Sequence, residues 1–210
     1  MTSYAAPEQL RPFADNTEFL AMKLEETLLK LQLTSLAQAL EQQIGPKEIR
    51  PRYALYRPAT KHLIEKVEVG QQHYQQLRAC NDRRLELSED TDVPFRQVVE
   101  NYDLDEIEQE VVWILFFKAV SVVFRRAYQD AGLFAVRKEP DDLVCVGSLL
   151  QLLSANPVAQ INLLHYFRPA GQLCRRGVVC LERGAANGGS PALETRLYLD
   201  EKVRGRVIGI

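Results

Sequence analysis

The chain has 210 residues, of which 46% are hydrophobic and 26% are charged, the balance of an ordinary globular protein. Its formal net charge of −2 argues against a protein that wraps nucleic acid or lies on an anionic membrane through bulk electrostatic attraction. The first apolar-rich segment carries Lys23, Glu25 and Glu26, so it does not read as a secretory signal. The four cysteines have no CxxC spacing, which predicts reduced thiols in a cytoplasmic protein.

The N-terminal part of the chain predicts helices. Residues 1–16 are interpreted as a leader, and residues 17–44 as an amphipathic helix. The apolar face of that helix rests on leucines that recur at helical spacing, namely Leu20, Leu24, Leu28 and Leu31. A second helix with a thinner apolar face is predicted over 59–87, and Pro94 opens a short helix that runs through Asn101.

The most apolar stretch is 103–132, which predicts one continuous helix that the rest of the chain encloses. Asp103 is the expected N-cap with Glu106 at the capping-box position, and Gly132 is the expected stop. Its polar residues fall on one narrow stripe, which predicts that the remaining surface is buried. That stripe consists of Glu110, Lys118, Ser121 and Arg125. A membrane span is the rival interpretation, but the apolar run is shorter than about 18–20 residues and Lys118 interrupts it.

Shorter elements follow Gly132. A compact helix is predicted over 143–153, and Asn156, followed by a proline, is predicted to cap a further helix that ends near Phe167. In that helix Ile161, Leu164 and Phe167 are expected to face inward.

The C-terminal residues predict two strands, at 178–182 and 193–199, joined by a flexible hairpin tip at 184–191. Asp200 is then expected to cap a short closing helix. Three helices followed by a β-hairpin are the plan of a winged-helix domain. We therefore expect a mainly α fold, in which a helical N-terminal part, 17–100, packs on a winged-helix-like domain, 101–210, as two domains or as one compact unit.

This order of elements resembles the region that precedes the ATPase module in a group of bacterial AAA+ ATPases with an N-terminal winged-helix domain. The group includes ATPases associated with phage-tail-like contractile injection systems. Three stretches carry the resemblance, which covers roughly residue 17 to the end: FRQVVENYDLDEIEQEVVWILFFKA at 95–119, the helix pair over 143–176 that leads into CRRGVV, and LYLDEKVRGRVIG at 197–209. The resemblance implies a domain that engages a protein partner or substrate for remodelling by the ATPase ring, with oligomerisation through the ATPase module.

The nucleotide chemistry of that family requires a glycine-rich phosphate loop, GxxxxGK[ST], whose backbone amides cradle phosphates. The sequence contains no such string. We therefore expect these residues to be non-catalytic and to hold no cofactor, with ATP and magnesium bound only by a following ATPase module. Either the chain is an N-terminal piece of a longer ATPase, or it is a free-standing relative without the motor.

Four arginines bracket the end of the predicted recognition helix and the start of the wing: Arg168, Arg175, Arg176 and Arg183. In a winged helix that binds DNA, these positions would meet phosphates. The helix itself argues against base reading, because its exposed positions are predicted to be Asn162 and His165, and no Lys or Arg lies between Pro157 and Phe167. These six side chains are the candidate partner-binding residues.

No catalytic or metal-binding set is predicted elsewhere. His62 with Glu65 is one possible ligand pair and Cys174 with Cys180 is another, but two ligands do not make a metal site. The leading hypothesis is a protein-interaction domain of an AAA+ ATPase, with no membrane partner. The alternative is a DNA-binding regulator of the winged-helix type.

Overall fold

The computed structural model describes residues 10–44, 58–133, 143–182 and 192–210. The chain forms two compact units that divide between Asp92 and Val93. The short helix that opens at Pro94 therefore lies in the second unit.

The first unit is a pair of long helices, α1 (Asn16–Ile44) and α2 (Pro58–Leu87), which pack along one another. Their bounds confirm both predicted helices to within one residue. The apolar side chains buried on this pair are Phe19, Leu31, Val67 and Leu77.

The segment that precedes α1 is held against the end of α2. Phe13 is buried, and its amide donates a hydrogen bond to the hydroxyl of Ser88 at 2.7 Å. The guanidinium of Arg84 lies 4.1 Å from the centre of the Phe13 ring and donates to the carboxylate of Glu18 at 2.7 Å. Residues 10–15, which belong to the predicted leader, are thus part of the packed first unit.

The second unit holds all the remaining described elements. Its helices are α3 (Pro94–Tyr102), α4 (Glu106–Val120), α5 (Val122–Asp130), α6 (Val146–Leu153), α7 (Pro157–Leu163), α8 (Gln172–Arg175) and α9 (Glu201–Ile208). Its strands are β1 (Val144–Cys145), β2 (Val179–Leu181) and β3 (Arg196–Leu199), and short 3-10 turns cover Leu164–Phe167 and Ala192–Glu194.

The three strands form an antiparallel sheet in the order β1-β3-β2. Pairing of Val179 with Leu199 and of Cys180 with Tyr198 confirms the predicted ribbon, whereas its predicted tip, 184–191, lies outside the described residues. The prediction of a helix over 143–153 is wrong at its start. Val144 and Cys145 form strand β1, and the helix begins only at Val146. Two residues are too short a strand to give the alternating pattern by which strands are predicted.

The prediction of one continuous apolar helix over 103–132 is also wrong in two respects. It breaks at Ser121, which is extended (φ −105°, ψ 114°) and whose hydroxyl accepts a hydrogen bond from the amide of Phe124 at 3.1 Å. The serine cap and the β-branched valines on both sides of it favour this break. The N-cap is Asp105 with a capping box to Glu108. Asp103 instead ends α3 in the left-handed region, with φ 46°.

The burial of α4 follows the prediction only in part. Residues 111–117 are all buried, and Trp113 packs against Phe95 and Phe117 with ring centres 4.0 and 5.6 Å away. The sequence pattern predicts Lys118 on the polar stripe, yet Lys118 is fully buried, with its ammonium 4.6 Å from the centre of the Tyr128 ring. The valines around the break, at 120, 122 and 123, are 43–61% exposed, contrary to prediction. Within the described ranges, no helix has the length and apolarity that crossing a membrane requires.

Candidate functional site

Helix α7 is started by the predicted cap. The side-chain oxygen of Asn156 accepts hydrogen bonds from the amides of Val158 at 2.9 Å and Ala159 at 3.4 Å, and Pro157 occupies the first turn. The helix ends at Leu163 and continues as the 3-10 turn, so the single helix predicted as far as Phe167 changes its winding part-way. Phe167 is buried and anchors this end in the core of the second unit.

The exposed face of α7 contains no Asp, Glu, Lys or Arg, and it carries two apolar residues. Val158 and Ile161 are each 66% exposed, and Asn162 and His165 are exposed beside them, as predicted for the last two. The spacing of three and four residues places Val158, Ile161 and Asn162 on one side of α7, and His165 follows in the 3-10 turn. We call these four residues the α7 stripe.

The inward orientation predicted for Ile161 is wrong. Apolar residues occupy two sides of α7, and the partly buried side is taken by Leu163 and Leu164. The side that carries Val158 and Ile161 is left exposed. Sequence reasoning therefore does not find the exposed pair Val158 and Ile161 as part of the site. It does find where the helix begins, because Asn156 is a recognisable cap.

The predicted arginine cluster separates into different environments. Arg168 is exposed at the end of the 3-10 turn, and Arg175 is exposed on α8, which packs against that turn. Arg176 donates to the backbone carbonyls of Tyr102 and Asp103 and lies 3.2 Å from the carboxylate of Asp103. Arg176 thus joins α8 to the turn between α3 and α4, and Arg183 lies outside the described residues.

A second polar contact fixes the 3-10 turn to α4. The hydroxyl of Tyr166 donates to the carboxylate of Asp105 at 2.7 Å, while the other oxygen of that carboxylate caps α4. This hydrogen bond, together with burial, raises the pKa of Tyr166 to about 12, so the hydroxyl keeps its proton at neutral pH. Tyr166 and Arg176 therefore fix the 3-10 turn and the end of α8, which follow α7, to the end of α3 and the residues between α3 and α4.

The described ranges include both of the possible ligand pairs, His62 with Glu65 and Cys174 with Cys180. In those ranges, no three His, Cys, Asp or Glu side chains come together in a way that could hold a metal ion. The pair Cys174 and Cys180 consists of free thiols. Burial raises the pKa of the Cys174 thiol, and the nearby Cys180 adds to the effect, which disfavours the reactive thiolate.

A family model for a winged helix domain, in its variant form, matches the chain over residues 1–210. The chain belongs to this family. No curated protein and no solved structure matches the chain. The winged helix domain is mainly helical here, and its small sheet holds the β2–β3 ribbon that the sequence predicted.

Proposed function

We propose that the chain is a non-catalytic interaction module whose α7 stripe binds a protein partner. In helix-turn-helix pairs that bind DNA, the second helix makes the contact, and α7 follows α6 and precedes the ribbon in the same way. We extend this contact role of the second helix to a protein partner. The observation that carries the proposal is the exposure of Val158 and Ile161 on this helix. Covering them with apolar atoms of another protein would gain roughly 1–2 kcal/mol each.

DNA binding is the second candidate, and the exposed Arg168 and Arg175 favour it. The α7 stripe opposes it, because the helix has no Lys or Arg with which to contact phosphates or guanine. A titration with a 20-base-pair duplex at low salt separates the two functions. Binding that weakens when both Arg168 and Arg175 are changed to glutamate would support DNA binding, whereas we expect no saturable binding.

The sequence resemblance supports a more specific role, in which this module engages a partner or substrate for an AAA+ ring. The sequence contains no GxxxxGK[ST] string, so in this role the motor would be supplied by a separate module. A GxxxxGK[ST] motif encoded further along the same reading frame, or in an adjacent gene, would support this role. Hydrolysis of ATP by the 210-residue chain alone would contradict it.

The proposed protein contact is tested by comparing variants in quantitative co-purification from the source cells. Ile161→Asp places a charge in the middle of the α7 stripe and is expected to deplete the partner at least tenfold. Val69→Asp is the matched control, because Val69 has the same 66% exposure on α2. Equal recovery of every co-purifying protein with both variants would exclude the α7 stripe as the contact.

A further inference from the structure

We propose that the partner segment bound at the α7 stripe is an acidic peptide that carries apolar side chains at one end and carboxylates at the other. This inference rests on the proposed protein-binding function and adds the chemistry of the partner. It follows from the charge and the geometry of the surface around α7.

The stretch of chain that forms α6, α7, the following 3-10 turn and α8 contains no acidic residue. Residues 143–181 contain no Asp or Glu and hold three arginines and one histidine. At the density of the whole chain, 28 acidic residues in 210, a stretch of this length would hold about five. A peptide with carboxylates therefore meets no like charge from the elements α6, α7 and α8 themselves.

Carboxylates that reach this stretch from the turn before α4 are already engaged. Asp103 pairs with Arg176, and Asp105 accepts from Tyr166 while it caps α4. Among the described residues, Arg168 and Arg175 form no ion pair. These two exposed guanidinium groups are therefore positioned to pair with carboxylates supplied by another molecule.

The apolar residues of α7 and the two exposed arginines lie at different places along the segment that forms α7, the 3-10 turn and α8. Val158 lies in the first turn of α7 and Ile161 in the second, whereas Arg168 follows the 3-10 turn, ten residues after Val158. At about 1.5–2 Å per residue, this separation is roughly 15–17 Å along the axis. A partner segment of about ten helical residues, with its apolar anchors at one end and its acidic side chains at the other, matches that length.

Duplex DNA fits this surface less well although it is also anionic. Phosphates recur all along a duplex, so some of them would face Val158 and Ile161 and would lose water without gaining a hydrogen-bond donor. A peptide can place its charges only where the arginines are.

The test is a selection from a phage-displayed library of random dodecapeptides, carried out on the whole chain. We expect enriched peptides to combine at least two apolar with at least two acidic residues. A synthetic copy of the most enriched peptide should bind at least tenfold more weakly to Ile161→Asp and to the double variant Arg168→Glu with Arg175→Glu. Val69→Asp and the exposed Arg126→Glu on α5 serve as matched controls and should change the affinity less than twofold.

The possible outcomes separate the two proposals. Enriched peptides that depend on Ile161 but lack acidic residues would overturn this inference and leave the proposed protein contact standing. A library that yields no peptide sensitive to Ile161→Asp would overturn both. Displacement of the acidic peptide by a 20-base-pair duplex at equal concentration would show a general anion-binding surface and would also overturn the inference.

Discussion

Ser88 shows how much of the first unit depends on one hydroxyl group. It accepts from the amide of Phe13 at 2.7 Å and donates to the carbonyl of Arg84 at 2.6 Å, and it is buried. Ser88→Ala leaves that buried amide without its acceptor, so we expect a loss of about 1–3 kcal/mol in the free energy of unfolding. Urea unfolding monitored by circular dichroism measures this loss in the free energy of unfolding.

Ser35→Ala, a partly exposed serine on α1, is the control for this measurement and should change stability by less than about 0.5 kcal/mol. An equal loss for both variants would show that the hydrogen bond from Phe13 contributes nothing specific.

Glu108 is expected to make the stability of the second unit fall as the pH rises. Burial raises the pKa of this carboxyl above its ordinary value of 4.5, although the hydrogen bond from the Asp105 amide opposes the shift. The stabilising contribution of the protonated carboxyl is therefore complete below about pH 4.5 and is lost as the pH rises through the raised pKa. Glu108→Gln keeps an acceptor for the capping box and removes the charge.

We therefore expect Glu108→Gln to be more stable than the wild type at pH 7, with the difference vanishing near pH 4, when unfolding free energies are measured across that range. Glu106→Gln, at an exposed position in the same first turn, is the control and should bring no gain at pH 7. A loss of stability for Glu108→Gln at pH 7 would show that the ionised carboxylate is the favoured form.

At the scale of elements, the break between α4 and α5 is maintained by Ser121. Its hydroxyl caps α5, so Ser121→Ala is expected to lower the unfolding free energy by about 1 kcal/mol, whereas Ser121→Asp retains an acceptor and should stay close to the wild type. Chemical denaturation of the three proteins checks this order. A more stable alanine variant would mean that the chain prefers the continuous helix.

The helices α1 and α2 could be predicted from sequence because their apolar residues repeat over many turns. A single residue that departs from the repeat therefore does not change the predicted structure. The β2–β3 ribbon could be predicted because turn residues separate a short apolar run at 178–182 from an alternating run at 193–199. The break at Ser121 and the strand β1 could not, since each depends on one or two residues whose hydrogen bonds are made in the folded chain. At the site, the exposure of Asn162 and His165 was predicted, but that of Ile161 was not, because the helix offers two apolar sides and only tertiary packing selects between them.

At the scale of the whole molecule, each compact unit has apolar side chains of its own. The second unit buries Trp113, Phe116 and Phe124 within its own elements. We therefore expect residues 93–210, expressed alone, to be helical and to unfold cooperatively in a thermal scan. A non-cooperative transition with a native-like helical signal would show that the second unit requires the first to pack.

The central claim is that the α7 stripe contacts protein. Site-specific photo-crosslinking in the source cells tests it most directly, with a benzophenone amino acid in place of Ile161 and, as the control, in place of Val69. We expect discrete protein adducts at position 161 that persist after nuclease treatment and are absent at position 69. Adducts at position 161 that nuclease removes, or the same adducts from both positions, would contradict the claim.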